Sequence, residues 1–505
     1  MKHTSMLIRV VLILLSLCMT AGVFTACTAP QGGEQGSGNQ AQTIDAPAST
    51  EDPNLDAEGY WKDDVPDGLN FGDACLILAA DNQKSHFWAE ESDSSNVGQA
   101  IFQRNATVEE RLGIEFEWNM QLCFATEDKN AFAKMIETDI QTSNSIDVVV
   151  CYNLVPYTLA NKGMLANLAK TEYINLEQPW WPDVFLDNLM YKDQIFALVD
   201  NASVGTLANL SAIYFNNDLI EDKGIESPYN LVAANEWTLE KMDQLIKDTY
   251  EDRNNNGKKD AEDFFGVATS TYARVTCWYY GAGIRFSEIS PDGELTLTSS
   301  SVEDISNRVD AIVKLFDSDD GLLQDSSQFV MFKAERVIFY LSVLAMSTSM
   351  VNDNIEIDYG VAPNPKYNSE QEKYYTHCPN THDAWCIPFG VKLPDCSSAV
   401  IELMASESYR QVNHVYYETN LKIRYAPDDR LAQMYDLIRE SMTFDFVYIY
   451  QTVMGAQCND EIRKCIKYPD TTKWATVWAQ ISPAVTSGFQ KILDTYEQRN
   501  ATGEN

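Results

Sequence analysis

The chain has 505 residues, of which 74 are Asp or Glu and 37 are Lys or Arg, for a formal net charge of −37 at pH 7 with histidine neutral. Nucleic acid and anionic lipid surfaces both need a basic footprint, so this balance excludes them as charge-driven partners. With 45% hydrophobic and 22% charged residues the body is globular in composition, and its length suits two domains rather than one core.

Lys2 and Arg9 flank a start that runs into VVLILLSLCMTAGVF, the length of a signal-peptide core and short for a membrane span. The run closes on FTAC, with Thr25 and Ala26 before Cys27. This resembles the lipobox of bacterial lipoproteins, in which the cysteine sulfur takes a diacylglyceryl group and becomes the mature N-terminus; Phe24 departs from the usual Leu or Val. The resemblance implies a signal peptide over 1–27 and a lipid anchor at Cys27, on the extracellular face of a bacterial cytoplasmic membrane. Residues 28–59 carry almost no large apolar side chain and cannot repay their ordering entropy, so a disordered tether is expected. As a flexible coil of about 29 residues its ends would stand roughly 30 Å apart.

The body alternates strands and helices. ACLILAAD, from Ala74, is a continuous apolar run of the kind found in a strand covered on both faces. A helix ends at ATVEERLG, with Val108 and Leu112 on one face and Gly113 as its stop. IEFEW follows as a strand in which Ile114, Phe116 and Trp118 alternate with glutamates. Phe132, Met135, Ile136 and Ile140 then form a helical stripe leading into the strand IDVVV, and a further helix ends at Lys162 before Gly163. Ser301 with Asp304 reads as a helix cap before the stripe Val302, Ile305, Val309, Ile312, Val313 and Phe316. Such alternation argues for α/β lobes with largely parallel sheets, and no internal repeat is visible.

Beyond Cys18 and Cys27 nine cysteines remain, an odd number, with no CxxC pair and only 5 histidines in the chain, so a zinc site has little to be built from. Buried thiol is the expected state, as in DVVVCYN. A Ser-centred elbow, an HExxH motif and a phosphate loop are all missing from the sequence, and acidic pairs arise by chance at this composition.

One stretch carries metal chemistry. In DRNNNGKKDAED the side-chain oxygens of Asp252, Asn254 and Asn256, the turn at Gly257, the backbone carbonyl of Lys258, and Asp260 and Asp263 occupy the ligand positions of an EF-hand loop. Asp at the twelfth position is shorter than the usual Glu, and Glu262 competes for that role. Thr238 caps the preceding helix, whose apolar face holds Leu239, Met242, Leu245, Ile246 and Tyr250, and FFGVAT follows as a strand. The unit is therefore helix, loop, strand. It is expected to hold a structural Ca2+; the alternative is a polar surface turn, which the same composition also makes.

From Ala74 onward the chain resembles the family 1 extracellular solute-binding proteins. In SAIYFNNDLIEDKGIESPYNLVAANEWTLEKMDQLIKD, Tyr214, Asn216, Gly224, Pro228, Trp237 and Thr238 hold the places of the family's hinge strand and its "GIxxP…WT" segment. SIDVVVCYNLVPYTLANKGMLANL, WWPDVF before YKDQIFALVD, and YGVAPNPKYNSEQEKYYT match further stretches in the same order. The resemblance implies a two-lobed periplasmic-binding-protein-like fold (type II), its α/β lobes joined by a multi-segment hinge. It places residues 60–205 and 336–382 in the first lobe and 206–335 and 383–505 in the second, with crossings near 203–212, 332–344 and 381–388. It implies a monomer that captures a carbohydrate without altering it and delivers it to ABC transporter permease subunits. Some relatives also carry calcium in a loop at the place of 252–263. A lipid-anchored sugar sensor or adhesin, or a secreted glycoside-active enzyme, remains as an alternative.

Open α/β sheets place ligands beyond the carboxyl ends of their strands, so Tyr152 and Asn153 after IDVVV are expected at the solute. Across the cleft, Tyr272, Trp278, Tyr279 and Tyr280 are candidates because aromatic faces suit pyranose rings, and so are Asp383 and Trp385 at the third crossing. Trp180 and Trp181 are expected to pack a lobe surface rather than the solute.

Overall fold

The computed structural model describes residues 54–502 apart from 57–58, 73, 271–273, 291, 299, 319 and 425–428. The signal segment, Cys27 and most of the tether lie outside the described residues, as does Tyr272.

Thirteen strands occur among the described residues: β1 (Ala74–Ala80), β2 (Glu115–Gln121), β3 (Val148–Tyr152), β4 (Ser211–Asn216), β5 (Phe265–Thr269), β6 (Ser287–Ile289), β7 (Leu295–Leu297), β8 (Leu322–Gln324), β9 (Val337–Val343), β10 (Tyr359–Ala362), β11 (Thr376–His377), β12 (Asp383–Cys386) and β13 (Met442–Thr443). The first sheet has the order β12-β3-β1-β2 and the second β10-β4-β9-β5-β8, each the centre of one α/β lobe. In the first, β1 runs parallel to β2 and β3, and β12 closes the edge antiparallel to β3. In the second, β9 is parallel to β5 and antiparallel to β4. All seven residues of β9 and all five of β3 are buried, as unbroken apolar runs require when helices cover both faces.

Local signals set the helices that cover them. In Asn96–Leu112, Ser95 accepts from the Gly98 N–H at 3.0 Å and Gly113 ends the helix in the left-handed region, at φ 62°. Ser301 and Thr238 cap Val302–Phe316 and Leu239–Ile246 as expected. After Thr126–Thr142, the Asp139 carboxylate accepts from the N–H groups of Ser145 and Ile146 and closes the turn into β3.

The chain visits the first lobe, the second, the first and the second, as expected, but two of the crossings fall elsewhere. The first does lie near 203–212, between Leu198, which bridges to Trp385 of β12, and the start of β4. The segment 336–382 is not in the first lobe: β9 and β10 both pair with β4 in the second sheet. Conversely β12, expected in the second lobe, pairs with β3 in the first, and the helix Pro394–Glu407 packs along Asn96–Leu112. The return therefore runs through 363–382. The last crossing follows wide π-helical turns over Ser408–Val412 and His414–Arg424, before Asp429–Glu440 packs on β10. The physical reason is that an apolar run such as VIFYLSV declares a buried strand but not which sheet supplies its neighbours.

Among the described residues no helix is long and apolar enough to cross a membrane. All nine described cysteines are buried and outside any disulfide.

Candidate functional site

The carboxyl ends of the central strands of both sheets open on one cavity of about 1150 Å³. After β1 the chain makes a tight turn over Asp81–His86 and an irregular stretch to Ser95 that turns again where the Asp93 N–H meets the Glu90 carbonyl, bringing Lys84, Ser85, Trp88, Glu90 and Asp93 to one wall. After β9, the helix Ala345–Asn352 brings Thr348 and Asn352 to the other. Val204 of the first crossing and Tyr416 and Asn420 of the π-helical crossing complete it. Strand direction thus places the cavity where open α/β sheets take ligands. A shallower hollow of about 540 Å³ around Lys333, Glu335 and Asp353 lies at the amino end of β9, the wrong end for such a site.

The first-lobe wall is built rather than loose. Asp93 accepts from the Ser95 N–H at 2.8 Å and hydroxyl at 2.7 Å, and those bonds hold its carboxyl below the usual range. Asn96 and Asn420 exchange amide hydrogen bonds at 2.9 and 3.2 Å and tie the wall to the π-helical crossing. Lys84 holds its ammonium 5.9 Å from the Trp88 ring.

Behind that wall sits a buried charged cluster. His86 Nδ1 lies 3.0 Å from the Asp383 carboxylate. Burial alone lowers the His86 pKa, but Asp383 outweighs it and the net shift is upward. Arg104, fully buried, donates to the Phe87 carbonyl at 2.7 Å and the Ser408 hydroxyl at 3.1 Å, and burial pulls it down to about 10. Asp200, at the start of the first crossing, is pushed by burial up to about 7 against the pull of Ala202 N–H and Arg104.

A second feature stands on the same carboxyl edge. Leu122 and Phe124, just past β2, are 59% and 65% exposed, and the Phe124 ring lies 6.5 Å from that of Tyr152. Lys129 caps the Phe124 carbonyl at 3.0 Å. The result is an apolar ledge at the end of the first sheet, with Tyr152 at its inner margin.

The residues expected at the solute divide accordingly. Tyr152 is on this edge. Asn153 is fully buried, its N–H on the His382 carbonyl at 3.3 Å. Trp278, Tyr279 and Tyr280 are core and do not line the cavity. The Trp278 indole donates to Thr269 at 3.0 Å, the Tyr279 hydroxyl is bonded to Asn459, and Tyr280 stacks on His377 with centroids 4.5 Å apart. Their helix, Val275–Gly281, is buried all round, and so aromatic content alone misplaced them. Asp383 is consumed by His86, and Trp385 packs edge-on against Phe87 at 6.4 Å. Trp180 and Trp181, expected to pack a lobe surface, are fully buried in the first lobe and do not line the cavity. The stretch 81–98 was missed, although DNQKSHFW directly follows an apolar strand and the rule that selected Tyr152 applies to it equally.

The 252–263 loop is closed by the Glu251–Phe264 bridge, and the Gly257 N–H folds back on Asp252 at 3.0 Å with Gly257 at φ 71°. Asp263 is fully buried and accepts from the Arg253 N–H at 3.1 Å. Asn254 and Asn256 direct their amides to Asp260 at 3.2 and 2.8 Å. Among the described residues no three His, Cys, Asp or Glu side chains converge at metal-binding spacing. One oxygen fits an ion: Asp252 Oδ1 is buried with no donor. The Tyr250 phenol is pushed up by desolvation and then by Asp263, Asp252 and Asp260, a sign of a negative field at the loop.

Two α/β lobes with a cleft between strand carboxyl ends and several crossings define the periplasmic-binding-protein-like fold, and this chain has it. Solved structures of that fold superimpose on most of it. A cyclo/maltodextrin-binding protein complexed with maltotetraose is 12% identical, with 83% of this chain and 96% of that one covered at a TM-score of 0.51. The galacto-N-biose-/lacto-N-biose I-binding protein of a Bifidobacterium longum ABC transporter, in complex with lacto-N-biose, is 10% identical, with 85% and 99% covered at 0.51. The cyclic alpha-maltosyl-1,6-maltose binding protein of Arthrobacter globiformis is 12% identical, with 84% and 98% covered at 0.50. No family model and no curated protein matches the sequence.

Proposed function

We propose that this chain is a carbohydrate-binding protein of the family 1 solute-binding type, a monomer tethered outside the cell through lipid on Cys27, that captures its sugar between the lobes and hands it unchanged to an ABC transporter permease. The observation that carries the reading is the polar cavity of about 1150 Å³ at the facing carboxyl ends of β1 and β9, with Trp88 as its aromatic wall. Hydroxyls and amides from Ser85, Asn352 and Asn420 suit a ligand made of hydroxyl groups, and an indole face suits its C–H surface. The fold neighbours that bind maltotetraose and lacto-N-biose support the same class of ligand. A bridging ligand favours the closed state by its differential affinity, so scattering should show a smaller radius of gyration with sugar present. Titration calorimetry of the purified chain against maltotetraose, lacto-N-biose and a wider glycan panel should find a ligand, with the sugar recovered intact. Trp88→Ala should weaken binding at least about tenfold. A panel with no binder, a chemically altered sugar, or an unmoved affinity in the variant would each reject the reading at a different step.

We further propose that the 252–263 loop holds a structural Ca2+, for which Asp252, Asn254, Asn256, the Lys258 carbonyl, Asp260 and Asp263 would be the oxygen donors. Its support is the unpartnered, buried Asp252 Oδ1 and the EF-hand-like turn at Gly257. A free concentration of about 100 times Kd should stabilise the chain by about 2.7 kcal/mol. Chelation should therefore lower Tm in the parent chain and leave Asp252→Ala unchanged; equal melting curves with and without chelator would reduce the loop to a turn.

A further inference from the structure

The helix Trp474–Thr502 makes its first backbone bond from the Val477 N–H to the Lys473 carbonyl at 3.0 Å. The N–H groups ahead of Val477 therefore have no helical acceptor, and Lys473 has no side-chain oxygen with which to cap them. Beside that end lies a recess of about 220 Å³, between the helices Val302–Phe316 and Cys458–Lys467 and the first residues of Trp474–Thr502. It shares no lining residue with the cavity between the lobes.

Three features of the recess point to one ligand. Trp474 lines it, 2% exposed and fixed by Phe286 and Trp478 at centroid distances of 5.8 and 5.4 Å, and its indole N–H is buried with no acceptor in the chain. A buried indole N–H needs an acceptor, and the recess is the space that can hold one. Lys473 and Asp310 line the same recess with exposed side chains, and among the described residues neither has an ion-pair or hydrogen-bond partner, so these opposite charges stand too far apart to neutralise each other directly. Val309 and Pro469 add apolar wall. A cavity of about 150 Å³ holds benzene, so this one takes a body of about nine non-hydrogen atoms, the size of leucine. We propose that the recess is a second ligand site, which takes a small apolar α-amino acid. Its carboxylate meets the Trp474 indole N–H, the open helix end and Lys473, where the helix dipole also favours an anion. Its ammonium meets Asp310, and its side chain lies on Val309 and Pro469.

This inference does not rest on the solute reading. Titration calorimetry of the full chain with leucine, isoleucine and valine should show saturable binding, with isocaproate and isoamylamine, each lacking one of leucine's two charges, weaker by about tenfold or more. Asp310→Asn and Lys473→Gln alter exposed side chains and leave the fold in place; each should weaken leucine binding about tenfold. Trp474→Phe, which keeps a ring and removes the N–H, should do the same, and Trp88→Ala should leave leucine binding unmoved. The site is overturned by an absence of saturable binding at millimolar amino acid, by an unchanged affinity in Asp310→Asn and Lys473→Gln, or by isocaproate binding as tightly as leucine. Loss of leucine binding in Trp88→Ala would overturn it too, by placing the amino acid between the lobes.

Discussion

Gly205→Ala is expected to destabilise the protein by about 3 kcal/mol and to disturb the first crossing. Gly205 lies in the short helix Val204–Asn209, where an added Cβ would stand 1.7 Å from Asp383 Oδ2 and 3.0 Å from His86 Nδ1. Two opposing effects decide the sign. Alanine in a helix gains about 1 kcal/mol over glycine. Against that, the Asp383 carboxylate must move, and it is 4% exposed, sits on β12 and is fixed by His86. Breaking a buried pair by displacing one partner costs about 3–5 kcal/mol, and crowding a packed site alone costs about 1–3. The clash therefore wins. Because Val204 lines the cavity and Lys84 and Trp88 flank His86, solute affinity should fall together with stability. Denaturant midpoints of parent and variant at constant m check this, and a loss below about 1 kcal/mol would show that Asp383 swings aside freely.

Most of the elements were legible in the sequence because their signals are local. ACLILAA and VVVCY are strands because apolar residues on both faces leave no solvent side, and Thr238, Ser301 and Gly113 bound their helices through single hydrogen bonds or a single positive φ. Membership of a sheet is not local. VIFYLSV carries no mark that its partners are β4 and β5, and Asp383 to Cys386 no mark that they belong to β3. The site was legible only in part for a related reason. Aromatic residues serve a solute and a core equally well, so WYY at Trp278 to Tyr280 looked like a platform although its helix has no exposed face. Phe124 and Trp88 gave a weaker signal, yet both reach the carboxyl edge, as Tyr152 does.

The pH dependence of stability should carry a signature of Glu402. This carboxyl is fully buried on the helix Pro394–Glu407 and accepts from both indoles of the pair Trp180 and Trp181, each at 3.1 Å, and from the Asn175 N–H at 3.3 Å. Buried indoles need such an acceptor, which is why two adjacent tryptophans pack here instead of facing a solute. Burial pushes Glu402 up to about 8, and the three donors offset only part of that rise. The Asp63 carboxylate adds to the rise, and Arg111 and Arg410 pair with Asp63 and Glu407. The unfolded chain ionises this group near the ordinary value of 4.5, so between there and about 8 the folded state holds the extra proton. Stability then falls as pH rises through that window and levels off above it, by an amount on the order of 4 kcal/mol. Glu402→Gln removes the ionisation but turns one acceptor into a donor facing an indole N–H, a cost of about 1–3 kcal/mol at every pH. The two stability curves should therefore cross, with the parent chain more stable at pH 5 and the variant more stable at pH 9. Other titrating groups, Asp200 among them, are common to both chains and cancel in the difference. Parallel curves from pH 5 to 9 would mean that Glu402 stays ionised in the fold, its charge carried by the two indoles and the Asn175 N–H.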